Sequence, residues 1–177
     1  MYPLIPRFTE VGVNGTGTIN HAIRVNVGKN KIRCTDRDDA CPQLTPGTPV
    51  GFPQGYLWPA SHSDGAAKTT TPAALPMGAH LRLKANYNWS CSPNCPQATV
   101  FVKALQQYGV IIADSDGAGY GDMGSHAEWT PDGGWNESDI QQLNNIPISA
   151  FEVVNANDGG CADFYSWCPA CAHPCGP

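Results

Sequence analysis

Charge is scarce in this chain. Only 14% of its 177 residues are Asp, Glu, Lys or Arg, the basic residues form no block, and the formal net charge is -5. A chain so poor in clustered positive charge has nothing to draw a phosphate backbone or an anionic membrane surface, so neither nucleic acid nor membrane is an expected partner. Long apolar runs are missing too, and no segment approaches a transmembrane helix. The opening Met1-Tyr-Pro-Leu-Ile-Pro-Arg7 has neither the charged start nor the apolar core of a signal peptide. A secreted chain with this start would have lost its signal or be a piece of something longer.

Several catalytic signatures are also absent. No Gly-x-Ser-x-Gly elbow occurs, and the nearest candidate, Gly124-Ser125-His126, has the wrong frame. Gly12-Val-Asn-Gly-Thr-Gly17 is not followed by Lys-Ser or Lys-Thr, and it leads into a strand pattern where nucleotide loops need a helix. Cys168-Pro-Ala-Cys171 has zinc-ribbon spacing but no second such pair, and Ala172 stands where a haem attachment motif needs histidine.

The chain is rich in loop-formers. Gly (19) and Pro (16) together make up about a fifth of it, which describes a loop-rich globular protein, and 41% hydrophobic residues suffice for one core. Eight cysteines, an even set, fall at 34, 41, 91, 95, 161, 168, 171 and 175. Such a set belongs in an oxidising compartment. Cys34 with Cys41 and Cys91 with Cys95 are expected to close small local rings, and the four tail cysteines to pair among themselves.

Periodicity supplies the elements. Ile19, His21, Ile23, Val25 and Val27 alternate with Asn20, Arg24 and Asn26, which predicts a half-buried strand over 19–27. Gln54 to Trp58 reads as a strand, and His80 to Ala85 as another with Leu81, Leu83 and Ala85 inward. Val100, Phe101, Ala104, Leu105 and Tyr108 have helical spacing over about 97–108, with Gly109 as the stop. Val110 to Ala113 is a short apolar strand, Glu137 to Asn144 a short helix capped by Asn136 or Ser138, and Ser149 to Val154 a last core strand. The expected architecture is mainly β: a β-sandwich or jelly roll with one packed helix. Residues 1–157 form a single β-rich domain with a disulfide-pinned loop at 28–54, and residues 158–177 form a cysteine-rich tail packed on it.

Four segments carry a resemblance: Asn20-His-Ala-Ile-Arg-Val25, Tyr56-Leu-Trp-Pro-Ala-Ser-His62, Pro76-Met-Gly-Ala-His-Leu-Arg-Leu-Lys-Ala85 and Ala104-Leu-Gln-Gln-Tyr-Gly-Val-Ile-Ile-Ala-Asp114. As a set they resemble the carboxy-terminal half of a family of uncharacterised secreted bacterial proteins, over about residues 3–154, Phe151-Glu-Val-Val154 included. The loop at 28–54 and the cysteine tail depart from that pattern. The resemblance implies an extracellular location and a compact β-rich fold, and it brings no established activity. Because those relatives are longer, it also implies a homo-oligomer or a companion chain covering a strand edge.

Candidate chemistry gathers on few residues. His21, on the apolar face of its strand, reads as a core histidine with a hydrogen-bonded ring, or else as a partner of His62 in acid–base work. Asp114-Ser-Asp-Gly-Ala-Gly-Tyr-Gly-Asp122 follows a buried strand, and its glycines let a carboxylate-bearing loop bend tightly. Asp114, Asp116 and Asp122 are candidate calcium ligands, although a solvated turn is the plainer reading; no other cofactor is expected. Glycoside hydrolysis needs two carboxylates, and Asp114, Glu128, Glu152 and Glu10 are available. Aromatic rings beside polar loop residues suit stacking against sugars, with Tyr56, Trp58, Trp129 and Trp135 as the candidates. Together these residues favour a polysaccharide or another extracellular polymer as partner. The expected activity is hydrolysis with His21, His62 and Asp114 as the catalytic set; the alternative is a non-catalytic carbohydrate-binding or surface-structural module.

Overall fold

The structure is a computed structural model that describes residues 4–32, 57, 60, 63–65, 74–116 and 134–154. The expected β-sandwich or jelly roll is not what forms. The described residues build one small mixed sheet of four strands with helices against it, about a third helical and a quarter strand. In chain order the elements are α1 (Phe8–Val11), β1 (Ile23–Gly28), β2 (His80–Leu83), α2 (Pro96–Gln107), β3 (Val110–Asp116), α3 (Glu137–Ile140) and β4 (Phe151–Val153). Short 3-10 turns follow β1 and α3 and precede β4.

The sheet order is β1-β3-β2-β4. β1 and β3 run parallel from Ile23 opposite Val110 to Gly28 opposite Asp116, with a bulge between Val25 and Asn26. β2 is antiparallel to both β3 and β4. The sandwich expectation failed for a physical reason. Alternation marks a strand with one dry face, but a helix can cover that face as well as a second sheet can. Here α2 covers it. Ile23 and Val25 of β1, Leu81 and Leu83 of β2, and Val110 and Ile112 of β3 join one core with Ala98, Phe101 and Leu105 of α2.

The helix forms where its spacing predicts, one residue earlier at each end. Pro96 takes the first helical position, where a missing N–H costs nothing. At the other end Gly109 adopts φ 73° and its N–H donates to the Ala104 carbonyl (3.1 Å). A Cβ at Gly109 would overlap the Leu81 carbonyl oxygen, so the glycine also lets helix end and β2 approach.

Other boundaries moved. The first strand begins at Ile23, so Ile19 and His21 lie ahead of it, although Ile19 is buried. The second short helix is α-helical only over α3 and continues as a 3-10 turn over Gln141–Asn145, with Asn136 as its cap through Asp139 N to Asn136 Oδ1 (3.1 Å). The last strand is shortened to β4 by the turn Ile148–Ala150. The expected Cys91–Cys95 bridge is present. The Cys34–Cys41 ring, the tail 158–177 and most of the strand expected over 54–58 lie outside the described residues; Leu57, which is described, is not in a strand.

Candidate functional site

Strand alternation divides the sheet into a dry face under α2 and a second face that carries the chemistry. In β1 the residues between Ile23, Val25 and Val27 are Arg24 and Asn26; in β2 the residues flanking Leu81 are His80 and Arg82. Register aligns Arg24 with Ile111 and Ile111 with His80, and it sets Arg82 beside Glu152 of β4. Three strands thus contribute polar side chains to this face, but Ile111 between Arg24 and His80 is only 1% exposed, so they form two groups on either side of a covered centre.

The best-defined group of this face joins Arg24, the second residue of β1, to the carboxyl-terminal halves of the parallel pair. Arg24 Nη2 donates to Asp114 Oδ2 and to Asn26 Oδ1, each at 3.2 Å. Asp114 Oδ1 accepts from Ser115 N (2.8 Å), and Ser115 Oγ donates to Asp64 Oδ2. Lys29 Nζ stands 4.0 Å from the same Asp64 oxygen. A continuous polar chain therefore runs from Asn26 to Lys29 across the strand ends. The bulge after Val25 makes this possible, since it brings Asp114 rather than Ala113 opposite Asn26. Asp114 is 55% exposed while Arg24 is only 20% exposed, so the carboxylate is the part a ligand meets first. Arg24 Nε is buried without an acceptor among the described residues.

A second ion pair lies further along the same face, with Arg82 Nε and Nη2 donating to Glu152 Oε1 at 3.1 and 2.8 Å. His80 is half-buried, its Nε2 2.6 Å from the Tyr108 carbonyl oxygen. Burial lowers its pKa below the ordinary histidine value; the Tyr108 hydrogen bond opposes that shift and the Arg82 charge adds to it.

Of the expected catalytic set, His21 and Asp114 are described, and the two lie apart. His21 lies ahead of β1, with Nδ1 2.7 Å from its neighbour Ala22's carbonyl and Nε2 3.3 Å from Glu10 Oε1. Asp114 belongs to the opposite end of the strand, opposite Asn26, so roughly 16 Å of extended chain separates the two. His62 lies outside the described residues, as do Tyr56, Trp58, Trp129, Asp122 and Glu128. Trp135 is half-buried and packs against the core, its ring 5.3 Å from that of Phe8 and 6.1 Å from that of Phe101 of α2. That places it on the helix side of the sheet, away from Asp114.

Arg24, Asn26 and Asp64 were not singled out from sequence, and no local pattern marks them, since Arg24 meets Asp114 across 90 positions. Among the described residues, no group of three or more His, Cys, Asp or Glu is placed to hold a metal ion, and no helix is long and apolar enough to cross a membrane. Comparison of the chain with family models, curated proteins and solved structures gave no match.

Proposed function

We propose that this is an extracellular carbohydrate-recognising protein whose ligand-facing surface is the Arg24–Asn26–Asp114 group of β1 and β3. The observation that carries the reading is that fixed triad of guanidinium, amide and carboxylate. Planar donors and acceptors held by one another present pre-set hydrogen bonds to the vicinal hydroxyls of a sugar, and a preordered group loses little freedom on binding. The Cys91–Cys95 bridge supports the extracellular part, because such bridges persist in oxidising compartments. Among the described residues β4 is an edge strand, so a second copy or a companion chain pairing along it belongs to the same proposal.

A pull-down of the disulfide-intact protein on a panel of insoluble polysaccharides tests this, with Arg24→Ala and Asp114→Ala beside it. Binding by the parent and a loss of about tenfold or more in each variant is expected, as for hydrogen bonds to charged groups. Failure to bind any polysaccharide, or variants that bind like the parent, would overturn it.

One observation favours hydrolysis as a second reading: two carboxylates, Asp64 and Asp114, are joined through Ser115 at one strand end. Release of reducing ends by the parent, lost in both Asp64→Asn and Asp114→Asn, is its required result.

A further inference from the structure

Resting on the carbohydrate reading, we propose that the ligand of this face is a neutral saccharide and not a uronic-acid or sulfated one. Among the described residues, the charges nearest Asp114 are already matched within the protein. Arg24, the cation nearest the exposed carboxylate, is held by Asp114 at 3.2 Å. Arg82 is held by Glu152 at 2.8 Å. Lys29, beyond the strand ends, stands by Asp64 at 4.0 Å. Among the described residues, two further titratable groups lie toward β2: Lys84, whose Nζ donates to the Ser149 carbonyl (2.9 Å), and His80, half-buried and hydrogen-bonded to the Tyr108 carbonyl, whose lowered pKa keeps it neutral at physiological pH.

An anionic ligand would have to take Arg24 from Asp114, and the freed carboxylate would then face the incoming negative charge. Exposure makes this worse for the anion, because the guanidinium is the recessed partner and the carboxylate the accessible one. The chain's formal charge of -5 adds a long-range repulsion of the same sign. A neutral sugar meets none of these costs. Each hydroxyl both donates and accepts, so one can donate to Asp114 and a neighbour can pair with the Asn26 amide without breaking the ion pair. Selection here works by repelling the charged analogue as well as by attracting the neutral one.

Affinity electrophoresis of the full, unreduced chain in gels holding mixed-linkage β-glucan or galactomannan, against gels holding polygalacturonate or alginate, separates the outcomes. Each is run at about 20 mM and about 500 mM salt, which spans screening from weak to nearly complete. Retardation by a neutral polymer that changes less than about twofold between the two salts, as an uncharged contact requires, is expected. Asp114→Asn should weaken neutral binding about tenfold. Retardation by the acidic polymers alone, abolished by salt and strengthened in Asp114→Asn, would overturn the neutral assignment and leave the carbohydrate reading standing. Retardation by none of the four polymers would remove both. The salt series on the parent protein needs no variant to fold.

Discussion

The Asp139 carboxylate of α3 accepts from the first backbone amides of α2 with both oxygens, Gln97 N at 2.8 Å and Ala98 N at 2.9 Å, and it does so with only 3% of the residue exposed. Two elements 42 positions apart are thereby locked by one side chain. The helix's own N-cap, Cys95, makes no side-chain capping bond, so Asp139 serves in its place. Asp139→Ala would leave both amides buried without an acceptor. A loss of about 2–4 kcal/mol in urea unfolding is expected, combining a lost charged hydrogen bond with a lost cap. A loss below about 0.5 kcal/mol, the size of an ordinary surface change, would mean the cap is dispensable.

Two glycines with nearly equal φ should resist alanine for different reasons. Gly12 and Gly109 have φ 74° and 73°. At Gly12 the nearest atom to an added Cβ is Thr16 Oγ1 at 3.3 Å, the tip of a side chain, so Gly12→Ala should cost only the backbone term, about 1–3 kcal/mol for φ 74° with ψ 159°, a region nearly confined to glycine. At Gly109 the added carbon overlaps the Leu81 carbonyl in the middle of the sheet, so Gly109→Ala should cost at least about 1 kcal/mol beyond its own backbone term. Thermal melts decide it, and a Gly109→Ala loss no larger than a left-handed backbone term alone, about 1–2 kcal/mol, would refute the close approach.

These positions show what the sequence reveals and what it hides. The two-residue alternation around Ile23 and Leu81 and the helical spacing of Val100 to Leu105 are local, and each produced an element close to where it was expected. Partner and direction are not local. Nothing in Ile23 to Val27 says that it lies parallel to Val110 to Ser115, and without that pairing the helix looked like an addition to a sandwich instead of its second layer. Gln97 is the sharpest case. A glutamine in a first helical turn reads as surface, yet it is fully buried because its amide reaches Gly12, Val13 and Gly134 carbonyls while its oxygen accepts from Asn136 N. At the candidate site, Asp114 was recognisable as a carboxylate following a dry strand. Its partner Arg24 was not, because only the β1–β3 register joins them.

The Cys91–Cys95 bridge closes a ring with a sequence separation of only four, immediately before α2. Loop-closure entropy for so short a ring is about 2 kcal/mol. Replacing both cysteines by alanine should therefore lower stability by about that amount while leaving the helix signal in circular dichroism unchanged, since Pro96 and Asp139 still define the start of α2. Loss of helicity at low denaturant would show instead that the bridge, and not the carboxylate, holds that end.

His80 gives stability a pH dependence whose sign follows from its surroundings. Burial, with a smaller contribution from Arg82, lowers its folded-state pKa below the ordinary value of 6.5, and the Tyr108 hydrogen bond only partly offsets this. Below pH 6.5 the unfolded chain therefore takes up a proton at this position before the folded one does, and protonation favours unfolding. The stability present above pH 6.5 should be lost as the pH falls from there through the folded-state pKa, and then level off. Carboxylates titrate nearby, so the measurement is a difference: urea unfolding of the parent and of His80→Gln at steps from about pH 7.5 down to about pH 4.5, a range that brackets the ordinary histidine value. Glutamine keeps an N–H for the Tyr108 carbonyl and cannot take a proton there. The parent's stability should fall relative to the variant's as the pH drops through this window. If the two curves stay parallel, His80 titrates alike in both states, and if the parent gains on the variant, its imidazolium is stabilised in the fold and its assignment as the face's neutral ring fails.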